Sequence, residues 1–274
     1  MPRARFFITA SPDPGDAQSP AGARQFPARR SKHSQKGPDM TETRYEPQDS
    51  VAVVTGGAGA IGGAIAKTLR SGGHRVVIVD RNGDVACDLA DAEQVRQAAD
   101  VILRDYGRCD LLVHAAGAFD RMTLETFDLA AFRRVQAVNV EAMLLLAQKF
   151  APRMRERRFG RIISIVSNTF WAPPAGDLLA YVASKGSLIG LTRVLAHALG
   201  GNGISVTAVA PGLTRTAGSS GVAEEEFEAV LVQQALARAL VPEDVAATVA
   251  FLARPEAAAL TGQTITTDGG VVLR

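Results

Sequence analysis

The residues that decide the fold lie at positions 51–62, which read Val-Ala-Val-Val-Thr-Gly-Gly-Ala-Gly-Ala-Ile-Gly. A short β-branched run ends in a glycine-rich turn that leads directly into a helix pattern at 64–69. Glycines let the backbone turn tightly and approach a pyrophosphate, whose charge is favoured at a helix N-terminus. Such a string is weak evidence alone, but its place between the first strand and the first helix is informative. It predicts a dinucleotide-binding turn formed by Gly56, Gly57, Ala60, Ile61 and Gly62.

Strand and helix patterns alternate along the rest of the chain. Apolar runs typical of buried strands lie at 75–80, 111–113, 161–166 and 204–209. Patterns typical of helices lie at 95–106, 132–154 and 181–199. Buried strands separated by helices of this length imply a parallel sheet covered on both faces and joined by right-handed crossovers. The predicted fold is α/β, a doubly wound parallel sheet of the Rossmann type in a single domain, with its ligand at the carboxyl ends of the strands.

Residues 1–45 differ in composition from the rest of the chain. They hold six of the 13 prolines and show no periodic apolar pattern. Such a segment cannot bury enough apolar surface to offset its ordering entropy, so we expect a disordered N-terminal extension at 1–45 and the dinucleotide-binding domain at 46–274. Residues 1–39 carry seven Lys or Arg against three Asp, so the remainder of this +2 chain sums to −2. This balance argues against a nucleic-acid partner.

Targeting and metal signals are weak. The apolar stretch at 6–10 is too short for a secretory signal, and no apolar run approaches the length of a membrane span. The two cysteines, Cys87 and Cys109, have neither metal-site nor redox spacing. We therefore expect a cytoplasmic protein with no metal and no membrane contact. Met40 is a second possible start of the compact domain.

The second strand pattern ends in Asp80, 24 residues after Gly56. A carboxylate at this place can accept both hydroxyls of an adenosine ribose and repel a 2′-phosphate. Arg81 follows directly, and a guanidinium there could receive that phosphate. An ordinary turn residue at a strand end is the alternative for Asp80. Asp80 predicts NAD as the cofactor, and Arg81 leaves NADP as the less favoured choice.

The order of motifs resembles the short-chain dehydrogenase/reductase family over residues 50–274. After the glycine-rich turn and Asp80 come Asp88-Leu89, His114-Ala115-Ala116-Gly117, Asn139, Ser167, Tyr181 to Lys185, Pro211-Gly212, Thr261-Gly262-Gln263 and Asp268-Gly269-Gly270. No single motif decides the matter, but the ordered set is specific. The resemblance implies an oxidoreductase that interconverts an alcohol and its ketone or aldehyde with a nicotinamide cofactor.

The chain departs from the family pattern at four places. Ala60 stands where the family has its second motif glycine, and Thr207 replaces the usual asparagine of the sixth strand. The usual Asn-Asn-Ala-Gly begins here with His114, which we interpret as a hydrogen-bonding wedge. Ser167 lies 14 residues before Tyr181, where many members have 13. None of these changes removes a catalytic group.

Tyr181 and Lys185 are four residues apart, so on a helix they share one face. A phenol with a reference pKa near 10 is a poor base, and the positive charges of Lys185 and the oxidised nicotinamide favour the phenolate. Lys185 can also hold the nicotinamide ribose, and Ser167 can donate to the substrate oxygen. By resemblance, Asn139 shapes the long helix and supports a water that relays protons to Lys185. An isolated Tyr-x-x-x-Lys is usually a surface pair; Ser167 and Asn139 favour the catalytic interpretation.

The resemblance assigns further cofactor contacts. Asp88 and Leu89 should flank the adenine, and Thr216 should meet the nicotinamide carboxamide. The remaining expected cofactor-binding residues are Ala115, Ala116, Gly117, Pro211, Gly212 and Thr214.

The loop after Ser167 contains the only tryptophan of the chain, Trp171, next to Phe170. With Phe119 these residues are the expected walls of the substrate site, and aromatic walls favour an apolar or aryl substrate. The alternative is that Phe170 and Trp171 only pack the loop or a subunit contact. The surrounding residues are partly similar to family members that oxidise phenylethanol-type alcohols or pyridoxal.

Two other functions are alternatives to an alcohol oxidoreductase. A reductase of carrier-bound 3-oxoacyl groups would use NADPH, for which Arg81 is the one supporting feature. A non-catalytic binding protein on the same fold would have lost part of the Ser-Tyr-Lys set. We also expect a homotetramer or homodimer, because the helices at 132–154 and 181–199 carry small and apolar residues on several faces and Gly186 and Gly190 permit close helix approach.

Overall fold

The computed structural model describes residues 47–216, 219 and 222–273. The extension expected at 1–45 lies outside these residues. The strands of the described part are β1 (Val51–Thr55), β2 (Arg75–Asp80), β3 (Val85–Ala86), β4 (Leu111–His114), β5 (Gly160–Ile165), β6 (Ile204–Pro211) and β7 (Thr264–Thr267). They form one parallel seven-stranded sheet in the order β3-β2-β1-β4-β5-β6-β7.

The α-helices connect the strands and cover both faces of the sheet. In the described part they are α1 (Ala60–Ser71), α2 (Ala92–Tyr106), α3 (Leu129–Gln136), α4 (Ala142–Arg157), α5 (Leu179–Leu199), α6 (Glu224–Gln233) and α7 (Pro242–Ala253). Short 3-10 turns lie at Pro47–Asp49, Asn168–Phe170, Gly200–Asn202 and Pro255–Leu260. No helix among the described residues has the length and apolar character needed to cross a membrane.

Two apolar cores hold the layers together. One lies between the sheet and α2, α4 and α5, and the other lies between the sheet and α1 and α7. The side chain of Phe150 on α4 is fully buried in the first core, and burial of such a side chain stabilises the fold by about 1.5–3 kcal/mol relative to exposure. The continuous apolar strands predicted a sheet covered by helices on both faces, and the α/β doubly wound fold is confirmed.

The predicted helix at 132–154 is helical throughout, but it is not α-helical throughout. The structure divides this stretch into α3, a π-helical turn at Ala137–Glu141, and α4. A π turn inserts one residue into the i→i−4 pattern and frees a backbone carbonyl for another partner. Helix-type apolar spacing is present on both sides of the turn, so the sequence pattern did not reveal it.

Strand order reverses on either side of β1, since the chain moves from β1 out to β3 and then returns to β4 on the other side of β1. Neighbouring crossovers diverge at such a point and leave a crevice beyond the carboxyl ends of the strands. Thr55, which ends β1, is the register partner of His114, which ends β4. The crevice is therefore where the glycine-rich turn and the residues after β4 and β5 come together.

Candidate active site

The glycine-rich turn packs against the end of β4 and the start of α1. Gly56 has a positive φ of 69°, and a Cβ on it would lie 2.6 Å from the backbone of Ala116. A Cβ on Gly62 would lie 2.2 Å from the Gly56 carbonyl oxygen, so both positions require glycine. Ala60 is exposed at the start of α1, and no side chain caps this helix at Gly59. Backbone N–H groups at such a helix start fit a pyrophosphate.

Asp80 ends β2 beside this turn. Its carboxylate accepts a hydrogen bond from the Ala58 backbone N–H at 3.2 Å. The carboxylate therefore lies at the glycine-rich turn, where an adenosine ribose would follow a bound pyrophosphate. Arg81 directly after it is exposed. The backbone of this turn and the Asp80 carboxylate thus fit a dinucleotide.

Two further expected cofactor contacts are partly used by the protein itself. Asp88 accepts a hydrogen bond from the Ala90 backbone N–H at 3.0 Å, and the side chain of Leu89 is buried in the core beneath α2. Packing and turn formation therefore account for much of what these two side chains do. Their contact with adenine stays a prediction.

The catalytic candidates come together at the carboxyl end of β5 and the first turns of α5. The Lys185 Nζ lies 5.3 Å from the centre of the Tyr181 ring and donates to the Ile165 carbonyl at 2.8 Å. Ser167, two residues after β5 ends, lies near enough to Tyr181 to lower the pKa of its hydroxyl. A Cβ on Gly117 would lie 3.7 Å from the Lys185 Nζ, so the segment after β4 reaches the same place.

Burial sets the protonation of the pair. It lowers the pKa of Lys185 to about 8, because the ammonium loses water on entering the interior. It also raises the pKa of Tyr181, while the Ser167 side chain acts in the opposite direction. The phenolate expected from the joint charges of Lys185 and the oxidised nicotinamide concerns the cofactor complex and stays a prediction.

Asn139 lies in the π-helical turn and is fully buried. Its side-chain oxygen accepts from the Ala118 N–H at 2.7 Å, and its amide nitrogen donates to the Ala118 carbonyl at 3.1 Å and to the Ser184 hydroxyl at 2.9 Å. Ser184 in turn donates to the Tyr181 carbonyl at 2.6 Å. Asn139 thus ties the segment after β4 to the helix that carries Tyr181. Ser184 was missed in the sequence, although it directly precedes Lys185.

His114 joins β1 to the π-helical turn. Its Nε2 lies 3.1 Å from the Asn139 carbonyl oxygen and its Nδ1 lies 2.9 Å from the Thr55 hydroxyl. A carbonyl can only accept, so Nε2 carries the proton and Nδ1 accepts from Thr55. Burial and the charge of Lys185 lower the pKa of His114 to about 3. These contacts are those of the hydrogen-bonding wedge expected from the sequence.

The neutral state of His114 predicts a pH dependence of stability. The folded pKa of about 3 lies below the unfolded value of about 6.5, so folding favours the neutral ring. Stability is therefore fully present above pH ~6.5 and is lost as the pH falls toward ~3, at about 1.4 kcal/mol per unit. His114→Asn should flatten the fall in unfolding free energy over this window, as measured by urea titration. His197→Asn, on the exposed side of α5, is the control; equal slopes in the two variants would contradict the assignment.

The segment after β6 completes the crevice. Pro211 ends β6, and a Cβ on Gly212 would lie 2.9 Å from the Asp268 backbone. Thr214 is buried and donates to the Gly212 carbonyl at 3.0 Å, while the Thr216 hydroxyl donates to Ser219 at 3.4 Å. Both threonines therefore follow the strand end where the resemblance places the nicotinamide.

The three aromatic residues expected at the substrate site have different surroundings. The Phe119 ring is 50% exposed and meets the Tyr181 ring edge-on, with 5.0 Å between centroids. Phe170 instead packs on α5, where a Cβ on Gly186 would lie 2.8 Å from its ring, and it meets Trp171 at 5.1 Å. Trp171 packs against the core. The structure therefore brings Phe119 to Tyr181, whereas the contacts of Phe170 and Trp171 are packing contacts within the chain.

The placement of Phe170 also corrects the expectation for Gly186. The space beside this glycine is filled from within the chain, so it does not provide a close approach for a second helix. Nothing lies within 4 Å of a Cβ on Gly190. Among the described residues, no group of three or more His, Cys, Asp or Glu side chains is arranged to hold a metal ion.

Known proteins are similar to this chain in sequence and in fold. Residues 56–272 match a family model described as enoyl-(acyl carrier protein) reductase. A 3-oxoacyl-(acyl-carrier-protein) reductase, FabG, of Rickettsia conorii is 34% identical over 242 residues, 81% of this chain and 96% of the relative. A D-threitol dehydrogenase of Mycolicibacterium smegmatis is 32% identical over 244 residues, 82% of this chain and 93% of the relative.

A solved short-chain dehydrogenase of Burkholderia cenocepacia in complex with NADP superposes with a TM-score of 0.74 at 33% identity, covering 83% of this chain and 99% of the other. The similarity thus extends over the sheet, the glycine-rich turn and the strand ends that carry the candidate residues. Sequence match and fold agree with the order of motifs along the chain. The chain belongs to the short-chain dehydrogenase/reductase family and is an oxidoreductase that depends on a nicotinamide cofactor.

Proposed function

We propose that this enzyme interconverts an apolar or aryl-substituted alcohol, preferably a secondary one, and its ketone or aldehyde, with NAD as the cofactor. The observation that carries the substrate class is the half-exposed ring of Phe119 against Tyr181. Removing such a ring from water on substrate binding is favourable by roughly 25 cal/mol per Å², and aromatic pairs prefer edge-on or offset geometries. An aryl group on the substrate would both remove the Phe119 ring from water and pair with that ring.

In this proposal the cofactor supplies the acceptor or donor of hydride, and the protein supplies positions and protons. The Tyr181 hydroxyl exchanges a proton with the substrate oxygen, and the Ser167 hydroxyl donates a hydrogen bond to the same oxygen. The charge of Lys185, 5.3 Å from the Tyr181 ring, favours the phenolate. Asn139 holds this arrangement through Ser184.

Lys185 has a second task in the proposal. An ammonium group has three donors, and the Ile165 carbonyl takes one of them. The other two would hold the ribose hydroxyls next to the nicotinamide. With a pKa of about 8, Lys185 is mostly charged at neutral pH and loses its charge as the pH rises above that value.

Asp80 supports NAD as the preferred cofactor. Its carboxylate lies at the glycine-rich turn through the Ala58 N–H, where it can accept ribose hydroxyls and repel a 2′-phosphate. Arg81 and the NADP complex of the Burkholderia relative favour the opposite preference. A comparison of kcat/KM with NAD and with NADP distinguishes these two preferences.

A second candidate function is reduction of carrier-bound 3-oxoacyl groups with NADPH. The match to a 3-oxoacyl-(acyl-carrier-protein) reductase and the presence of Arg81 favour it. The non-catalytic alternative has no support, since the chain belongs to an enzyme family and Ser167, Tyr181 and Lys185 are all present.

The test is a turnover screen with purified enzyme. We expect NAD-dependent oxidation of phenylethanol-type alcohols, and we expect Phe119→Ala to raise KM for phenylethanol much more than KM for isopropanol, which has no ring. Phe127→Ala, an exposed phenylalanine before α3, is the matched control. Turnover confined to 3-oxoacyl thioesters with NADPH would overturn the proposal in favour of the second candidate.

We also propose that the enzyme forms a homotetramer or homodimer through α4 and α5 and works in the cytoplasm. Val194 on α5 is 65% exposed and Gly190 leaves open space on the same helix. Both cysteines are free and buried, as suits a reducing compartment. Sedimentation velocity at micromolar concentration should show a species larger than a monomer; a stable monomer would contradict the assembly.

A further inference from the structure

The direction of the Ser167 hydroxyl decides whether it can assist the reaction. A serine hydroxyl has one proton and two acceptor sites, and it rotates to suit its neighbours. If the proton points away, the oxygen accepts from Tyr181 and stabilises the neutral phenol. If the proton points toward the reacting oxygens, it stabilises the phenolate and a developing negative charge on the substrate. A neighbour that occupies the acceptor sites would settle this choice.

Thr169 occupies those acceptor sites. Its backbone N–H donates to the Ser167 Oγ at 3.2 Å, and its own hydroxyl donates to the same atom at 2.9 Å. With two donors on its oxygen, Ser167 has only its proton left to offer. The Ser167 side chain also acts to lower the pKa of Tyr181, as a donor toward the phenolate would.

We propose that Thr169 is a positioning residue that makes Ser167 a donor toward Tyr181 and the substrate oxygen. This inference rests on the proposed function for the roles of Ser167 and Tyr181. The backbone bond from Thr169 is what the start of a 3-10 turn ordinarily requires, with Ser167 as its cap. The side-chain bond from the Thr169 hydroxyl is not required by the turn, and it completes the second acceptor site.

The turn that carries Thr169 is anchored on both sides. Phe170 packs on α5 at Gly186, as described above. Asn168 is buried, and its side-chain amide donates to the Asp268 carboxylate at 3.3 Å. Asp268 itself accepts from the backbone N–H groups of Gly270 and Val272 at 3.1 and 2.9 Å. Thr169 is therefore held in place by packing and polar contacts that do not involve Ser167.

The test compares Thr169→Val, which removes the hydroxyl and keeps the shape, with Thr169→Ser, which keeps the donor. The phenolate absorbance of Tyr181 is titrated in the complex with the oxidised cofactor and without substrate, using Tyr181→Phe enzyme as the baseline. Loss of one hydrogen bond of ordinary strength should raise the apparent pKa of Tyr181 by about 0.4–1 unit in Thr169→Val. Thr169→Ser should titrate like the unmodified enzyme. Thr248→Val on α7, which loses a hydroxyl bonded to the Asp244 carbonyl, is the matched control.

A double-mutant comparison separates positioning from general damage. Because Thr169 is inferred to act only through Ser167, adding Thr169→Val to Ser167→Ala should change neither the Tyr181 titration nor kcat. In otherwise unmodified enzyme, Thr169→Val should lower kcat by about 2–10-fold on a verified substrate. An equal effect in both backgrounds, an unshifted titration in Thr169→Val, or a Thr169→Ser variant as impaired as Thr169→Val would overturn the inference.

The outcomes for the two proposals are distinguishable. The titration needs no substrate, so a shifted pKa in an enzyme that turns over no aryl alcohol supports the inference and overturns only the proposed substrate class. Normal aryl alcohol oxidation with an unshifted titration overturns the inference alone. Should Thr169→Val melt at lower temperature than Thr169→Ser, Thr169→Ala gives a second variant that lacks the hydroxyl, and it must reproduce the shift.

Discussion

Replacing Tyr181 with phenylalanine is expected to lower kcat by about 10²–10⁴-fold while leaving the fold and cofactor affinity nearly unchanged. The substitution removes one hydroxyl from a half-buried side chain, and the edge-on contact with Phe119 does not depend on it. In the proposed mechanism that hydroxyl is the group that takes and returns the proton of the substrate oxygen. Steady-state kinetics on a substrate found in the screen, with calorimetric measurement of cofactor binding, gives both quantities.

Variants of Lys185 and Ser167 should differ from Tyr181→Phe in their effects on kcat and cofactor affinity. Lys185→Ala should cause a similar loss in kcat and also weaken cofactor binding, because in the proposed function Lys185 also holds the ribose. Ser167→Ala should lower kcat with cofactor affinity almost unchanged. Tyr106→Phe on α2 is the control for removal of a phenol hydroxyl elsewhere. Near-normal turnover in Tyr181→Phe would reject the proposed mechanism, whatever the state of the other variants.

The second large effect concerns cofactor choice. We expect kcat/KM with NAD to exceed that with NADP by about 100-fold, since the Asp80 carboxylate would face the 2′-phosphate and such like-charge contacts cost several kcal/mol. Asp80→Asn keeps the size of the side chain and removes the charge, so most of this preference should be lost. Asp100→Asn on α2 changes the net charge equally at an exposed place far from the glycine-rich turn and should leave the ratio unchanged.

Arg81 provides the opposite test. If its guanidinium receives the phosphate, NADP is preferred in the unmodified enzyme and Arg81→Ala lowers kcat/KM for NADP specifically. Equal efficiencies with the two cofactors, or a preference for NADP, would show that Arg81 outweighs Asp80 and that the assignment of NAD is wrong.

Much of the site follows from short-range patterns in the sequence. Tyr181 and Lys185 share a helix face because they are four residues apart, and Asp80 ends a strand because an apolar run stops there. Parallel strands deliver their carboxyl ends to one edge, so residues far apart in the chain were expected to meet there. Ser167, just after β5, and Tyr181, on α5, do so. These predictions succeed because local periodicity and turn chemistry determine them.

Other features depend on what surrounds each side chain. The pKa of Tyr181 is raised in the protein alone, because burial of the phenolate outweighs the opposing effect of Ser167. Phe170 packs on Gly186 and against Trp171. The π-helical turn at Ala137–Glu141 lies within a helix that looked α-helical throughout. Desolvation and packing arise from atoms contributed by several distant segments, and no pattern within one segment contains that information.

The sequence by itself therefore determined the fold class, the edge of the sheet that forms the site and the residue types available for chemistry. Only the tertiary structure decided their protonation and hydrogen-bond directions. His114 is neutral because it is enclosed between Thr55 and the Asn139 carbonyl, and Ser167 has two donors on its oxygen because a turn returns Thr169 to it. Periodicity along the chain specifies which residues face inward, whereas the free energy of a charge or proton depends on the complete set of neighbours that folding brings around it.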